Sequence, residues 1–154
     1  MDDDSRIADL RNDFLAIMVA SAEIHGGTPI SAQIMGYLLF EGRLVAFSEL
    51  AQALGVSRGS ISENTRRLVT RGAIARHKIK GDRQDYFALA ETSFDEKLIQ
   101  MAEKLKIIGD QIRSIASQVP GSDKASRLTQ FASYQDRLSD GLVAITQHTS
   151  DSSS

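Results

Sequence analysis

Between Ser57 and Arg83 the chain carries Arg58, Arg66, Arg67, Arg71, Arg76, Lys78, Lys80 and Arg83 against only Glu63 and Asp82. That local excess is +6 in a chain of net charge −2, so the remaining residues hold −8. A basic stretch on an acidic body is the electrostatic footprint of a site for a polyanion. A plain solvated face has the same composition, so charge alone leaves both readings open. Spacing sharpens the choice. Arg58, Ser60, Ser62 and Glu63 fall in the first two turns of a helix that Ser57 can cap. Arginine pairs with the guanine edge, and glutamate accepts from cytosine N4. Gly59 and the serines are small enough to let that helix end enter a major groove about 12 Å wide. Arg66 and Arg67, one to two turns on, can reach bases or phosphates.

These side chains need a frame. Ser48 can cap a short helix over 49–54, and its oxygen and nearby amides suit a phosphate at the positive helix end. Gly55 stops that helix, and Ser57 starts the next, running to about Arg71. Leu50, Leu54 and Val56 face inward against Ile61, Thr65 and Leu68. Two short amphipathic helices joined through Leu54-Gly55-Val56-Ser57 have the layout of a DNA-reading helix-turn-helix. Residues 73–79 and 85–90 then read as strands around the turn Lys80-Gly81-Asp82-Arg83-Gln84. That hairpin places Lys78, Lys80 and Arg83 where they can follow the backbone or enter a narrow minor groove. Residues 44–47 can add a small strand.

The predicted fold class is mainly α with a small β-hairpin wing, a winged helix-turn-helix with N- and C-terminal dimerisation helices. An N-terminal helix over 5–25 carries Ile7, Leu10, Phe14, Ile17 and Ile24 at helical spacing. A second helix begins at Thr28-Pro29, runs to about Phe40 and contains Gly36, which implies close packing or a cost near 1 kcal/mol against alanine. A long helix capped by Thr92 or Ser93 reaches Val119, with Leu98, Met101, Leu105, Ile108, Ile112, Ile115 and Val119 alternating at three and four residues. A turn at Pro120-Gly121 leads to a last helix over 124–147 carrying Leu128, Phe131, Leu138, Leu142 and Ile145. The two form an antiparallel hairpin. Their stripes either pack on each other or, with Ile7, Leu10 and Phe14, build a homodimer interface. The expected division is 1–27 N-terminal dimerisation helix, 28–92 DNA-binding domain, 93–148 dimerising hairpin and 149–154 disordered tail.

Other chemistries find little footing. The 154 residues contain no cysteine, and His25, His77 and His148 lie on separate elements. No Ser-His-Asp pattern, glycine-rich phosphate loop or metal-ligand spacing is present, so no catalytic residue, metal or cofactor is assigned. No apolar run approaches 18 residues and Met1-Asp2-Asp3-Asp4 is no signal peptide, which makes a cytoplasmic protein without membrane contact the expectation.

Three stretches resemble the GbsR-like branch of the MarR superfamily of regulators: Gly27–Leu39, Glu49–Ser62 and Gly81–Phe87. The wing matches only in part, since Asp82 is followed directly by Arg83, and Leu89-Ala90 replaces the usual Leu-Thr. The resemblance implies a homodimeric winged helix that binds double-stranded DNA, as repressor or activator, under a small-molecule effector. Similar proteins have been linked to choline or glycine-betaine uptake genes. Phe14, Tyr37, Phe40 and Phe94 are the aromatic candidates for such an effector. The alternative is a winged-helix adaptor that binds proteins without sequence-specific DNA binding.

Overall fold

A computed structural model describes residues 2–25 and 27–151; the side chains of His25, Thr149, Ser150 and Asp151 are not described. The chain forms two compact units, Met1–Glu91 and Thr92–Ser154. The first holds α1 (Asp3–His25), α2 (Pro29–Glu41), β1 (Val45–Ala46), α3 (Phe47–Leu54), α4 (Arg58–Thr70), β2 (Ile74–Lys78) and β3 (Asp85–Leu89). The second holds α5 (Phe94–Ala116) and α6 (Ser122–Asp151). The result is a mostly helical winged-helix fold with one small antiparallel sheet, in the order β1-β3-β2. Among the described residues no helix is long and apolar enough to cross a membrane.

The core of the first unit joins Leu15 of α1, Ile34, Tyr37 and Leu38 of α2, Val45, Leu50, Ile61, Leu68, Ile74 and Phe87. Helix α1 therefore shares the winged unit's core through Leu15, while Ile7, Leu10 and Ile17 remain exposed. Thr28 and Ser31 close a capping box at the start of α2, with Pro29 in the first turn. Close packing explains Gly36, because a Cβ there would lie 2.9 Å from Leu15 Cδ2 and from Met18 Cγ. Gly36→Ala is therefore expected to lose about 1 kcal/mol net, since overpacking of about 1–3 kcal/mol outweighs the helix-propensity gain. Urea denaturation should show a lower midpoint, and a raised one would refute the α1–α2 contact.

One polar network ties α2 to α3. The Tyr37 hydroxyl donates to Glu49 Oε1 at 2.9 Å, and Arg43 Nη2 meets the same oxygen at 2.6 Å. The Arg43 guanidinium holds the Glu49 carboxyl below its usual range, with Tyr37 assisting against partial burial. A depressed folded pKa gives stability that is present above the unfolded value near 4.5 and lost as pH falls through the folded value. Glu49→Gln should flatten the acid limb of a stability–pH profile below about pH 4.5. An unchanged acid limb would show that the pair contributes nothing.

In the second unit, the bulky apolar stripe expected along the hairpin is not the intramolecular seam. The buried positions are Ala102, Gly109 and Ala116 on α5 and Ala132, Ser139 and Thr146 on α6, each set spaced by seven residues. Small side chains let the helices approach closely. A Cβ on Gly109 would stand 3.3 Å from the Ala132 carbonyl oxygen, and Ser139 Oγ donates to the Ala102 carbonyl at 2.8 Å. Arg113 bridges to Asp136 at 2.7 Å, fixing the antiparallel register. Met101, Ile108, Ile115, Leu138 and Ile145 are left exposed, and Leu98, Leu105, Ile112 and Leu142 are half-buried. Ser93 caps α5 in a box with Glu96. The last helix continues to Asp151, so the polar stretch from Thr149 is helical over its first three residues, contrary to the disordered tail expected there. Extending a formed helix costs far less than starting one. Ser152–Ser154 lie outside the described residues.

Candidate nucleic-acid interface

Helix α4 is amphipathic in the way its sequence demands. Ile61, Thr65 and Leu68 are buried, while Arg58, Gly59, Glu63, Arg66 and Arg67 are exposed and Ser60 and Ser62 half-buried. Ser57 caps it: its Oγ accepts from the Ser60 amide at 3.1 Å. No acidic residue stands in the first turn, so nothing on the helix compensates its positive end. The Arg58 guanidinium lies over the Phe47 ring of α3, 4.7 Å from its centroid. A Cβ on Gly59 would meet only Ser57 Oγ, at 4.0 Å, so the chain's own packing does not require glycine there.

Several expected site residues have partners within the chain. Glu63 and Arg67 pair across one turn at 2.6 Å. Lys78 pairs with Asp85 at 2.5 Å on the neighbouring strand. Ser48 is not the cap of α3: the helix starts at Phe47, directly off β1, and its cap position is Ala46, which offers no side-chain oxygen. Gln84 supplies the acceptor instead. Its Oε1 takes the Ser48 Oγ hydrogen at 2.8 Å and the Ser48 amide at 3.3 Å. The phosphate-binding geometry expected at Ser48 is therefore occupied by Gln84, the last residue of the wing turn.

The wing itself is held by Asp82. Its carboxylate accepts from the Gln84 amide at 3.0 Å and from the Tyr86 hydroxyl at 2.6 Å. The Tyr86 hydroxyl and the Gln84 amide keep that carboxyl below its ordinary range. Gly81, at φ 87°, makes the reversal that L-residues resist. Lys80 and Arg83 project from this braced tip, both exposed. Among the described residues Arg58, Arg66, Arg71, Lys80 and Arg83 have no carboxylate within ion-pair distance. Such a surface can attract phosphates through unneutralised cations and present small polar groups to base edges.

Two tethers escape a reading of the sequence. Asn64 is 8% exposed; its Nδ2 donates to the Ser60 carbonyl at 2.9 Å, and its Oδ1 accepts from Thr28 Oγ1 at 2.9 Å. It locks the middle of α4 to the start of α2. Gln84 does the same between wing and α3. Their only sequence signal is a polar residue at a position the helical or strand pattern turns inward. Of the aromatic effector candidates, Tyr37 is a core residue, Phe14 and Phe40 lie 6.0 Å apart, and Phe94 is exposed with Lys97 over its ring. Among the described residues no group of three His, Asp or Glu side chains is placed to hold a metal ion.

The family model for the MarR family matches residues 25–85, which spans α2, the helix pair and most of the hairpin. The HTH-type transcriptional regulator MmpR5 of Mycobacterium tuberculosis is 29% identical over 144 residues, covering 89% of this chain and 87% of the relative. A crystal structure described as that of a transcriptional regulator is 30% identical, with a TM-score of 0.62, covering 89% of this chain and 98% of the other. With that likeness extending through both units, the chain belongs to the MarR family of winged-helix transcriptional regulators.

Proposed function

We propose that the chain is a repressor that binds duplex operator DNA as a homodimer and responds to a small effector. The observation that carries the reading is the set of cations without carboxylate partners on α4 and the wing of one unit, with a glycine-serine helix start beside them. Arg58, Ser60, Ser62 and Glu63 would read base edges, Ser57 and Gly59 would admit the helix end, and Arg66 and Arg67 would serve bases or phosphates. Lys80 and Arg83 would follow the backbone or minor groove, with Lys78 behind them. Ser48 would act through its bond to Gln84, orienting the wing. Within the family we place the chain nearest the GbsR-like branch, on the three stretches quoted above.

Dimerisation is supported by the exposed apolar stripe that the small-residue seam leaves on α5, Met101, Ile108 and Ile115, by Leu138 and Ile145 on α6, and by Ile7 and Leu10 on α1. Exposed stripes of this regularity imply a cover. A dimer would set two recognition helices roughly 34–36 Å apart. Sedimentation equilibrium should give two chains per particle and two per bound duplex, with Ile108→Glu shifting both towards one. A monomer that binds duplex one-to-one would overturn the dimer.

A further inference from the structure

A cleft of about 340 Å³ opens where the first turn of α2 meets the C-terminal half of α4. Thr28 and Ser31 line one wall, and Asn64, Arg66, Arg67 and Arg71 the other. Among the described residues no carboxylate lines it. Glu63 satisfies Arg67, while Arg66 and Arg71 have no acidic partner among the described residues, so two positive charges stand uncompensated. The hydroxyls of the first wall are committed within the chain: Thr28 Oγ1 donates to Asn64 Oδ1 at 2.9 Å and Ser31 Oγ to the Thr28 carbonyl at 2.9 Å, so the donors left for an anion are the guanidiniums. The positive end of α2 adjoins it with no acidic residue in its first turn. Guanidinium forks match the planar oxygen pairs of phosphate and carboxylate. The volume falls in the range of small-molecule sites, which begins at about 300 Å³.

We infer that this cleft binds a small dianion, a phosphate monoester by charge and size, and that its occupancy weakens duplex binding. Two uncompensated charges match a monoester better than a backbone phosphodiester, which carries one. The second half rests on the DNA-binding reading above. Arg66 and Arg67 line the cleft and also belong to the proposed DNA face, so one ligand would neutralise them and draw them off the duplex. Coupling of this kind is reciprocal: bound duplex must weaken the anion by the same factor.

The test titrates the full chain with glycerol 3-phosphate, with glycerol and with sodium chloride at matched ionic strength, by calorimetry. Saturable one-site binding is expected for glycerol 3-phosphate alone. Arg71→Gln should weaken it by about tenfold or more and Arg71→Lys by less, because lysine keeps the charge and loses the fork. Saturating glycerol 3-phosphate should raise the wild-type Kd for duplex about tenfold or more over the matched chloride control, since it draws two guanidiniums off the duplex, and leave the ratio near one in Arg71→Gln. No saturable binding, or equal binding by Arg71→Gln, overturns the site. Anion binding without a change in duplex affinity overturns the coupling. If Arg71→Gln instead spares the anion and lowers the salt slope of duplex binding by about one, the cleft holds a backbone phosphate and the inference fails. A wild type that binds no duplex would defeat the DNA reading, and the calorimetric result would stand apart from it.

Discussion

Phe87→Ala is expected to destabilise the chain by about 3–5 kcal/mol, the cost of emptying a well-packed aromatic site. Phe87 is 1% exposed on the central strand of the sheet, with Val45 beside it on β1 and Arg76 on β2. Its ring closes a core drawn from α2, α3, α4 and the hairpin, so its loss loosens the wing from the helix pair together with the core. Domains are stable by only about 5–15 kcal/mol, so thermal unfolding should shift down by well over 10 °C. Phe87→Leu should retain part of the loss. A change below about 1 kcal/mol for the alanine variant would show that the sheet is not seated on the core as described.

The second large effect concerns binding. Arg66→Ala should weaken operator binding by roughly ten- to a hundredfold, equivalent to about 1–3 kcal/mol for one guanidinium contact. Arg66 is exposed and lacks an acidic partner among the described residues, so its removal opens no core and orphans no carboxylate. Thermal stability should therefore move little, which separates this variant from Phe87→Ala. Arg67→Ala should do less, since Glu63 holds that guanidinium at 2.6 Å and would have to release it first. Equal affinities for wild type and Arg66→Ala, measured by fluorescence anisotropy, would remove Arg66 from the interface.

What could be read from residues alone followed local rules. The caps at Thr28 and Ser57, the glycine stop at Gly55 and the inward face Ile61-Thr65-Leu68 are short-range patterns, and each appears in the structure, as does Ser93, one of the two caps the sequence offers for α5. The winged-helix fold was legible for the same reason. What was not legible has long-range causes. Ser48 looked like a cap because helices usually need one, but pairing of β1 with β3 starts α3 at Phe47 and Gln84, 36 residues away, supplies the acceptor. The sequence leaves open whether the large hairpin stripes pack on each other or face a partner; close approach selects the small residues for the seam and leaves much of the large stripe exposed. Its signal, Ala102-Gly109-Ala116 against Ala132-Ser139-Thr146, was present at a period of seven. Asn64 and Gln84 carry no pattern that names their partners. The exposed face of α4 was legible because it is the complement of the buried one, Ile61-Thr65-Leu68.

The central claim is sequence-specific duplex binding through α4 and the wing, and its most direct test is a titration against two duplexes at several salt concentrations. One carries the DNA upstream of the chain's own gene and the other the same bases scrambled. The account predicts tighter binding to the native duplex, with log Kd rising linearly in log salt. The slope should fall by about one when Lys80 is replaced by alanine, each lost phosphate contact removing one released counterion. Binding too weak to detect at low salt, or equal for both duplexes with a slope that Lys80→Ala leaves unchanged, would contradict it and favour the adaptor.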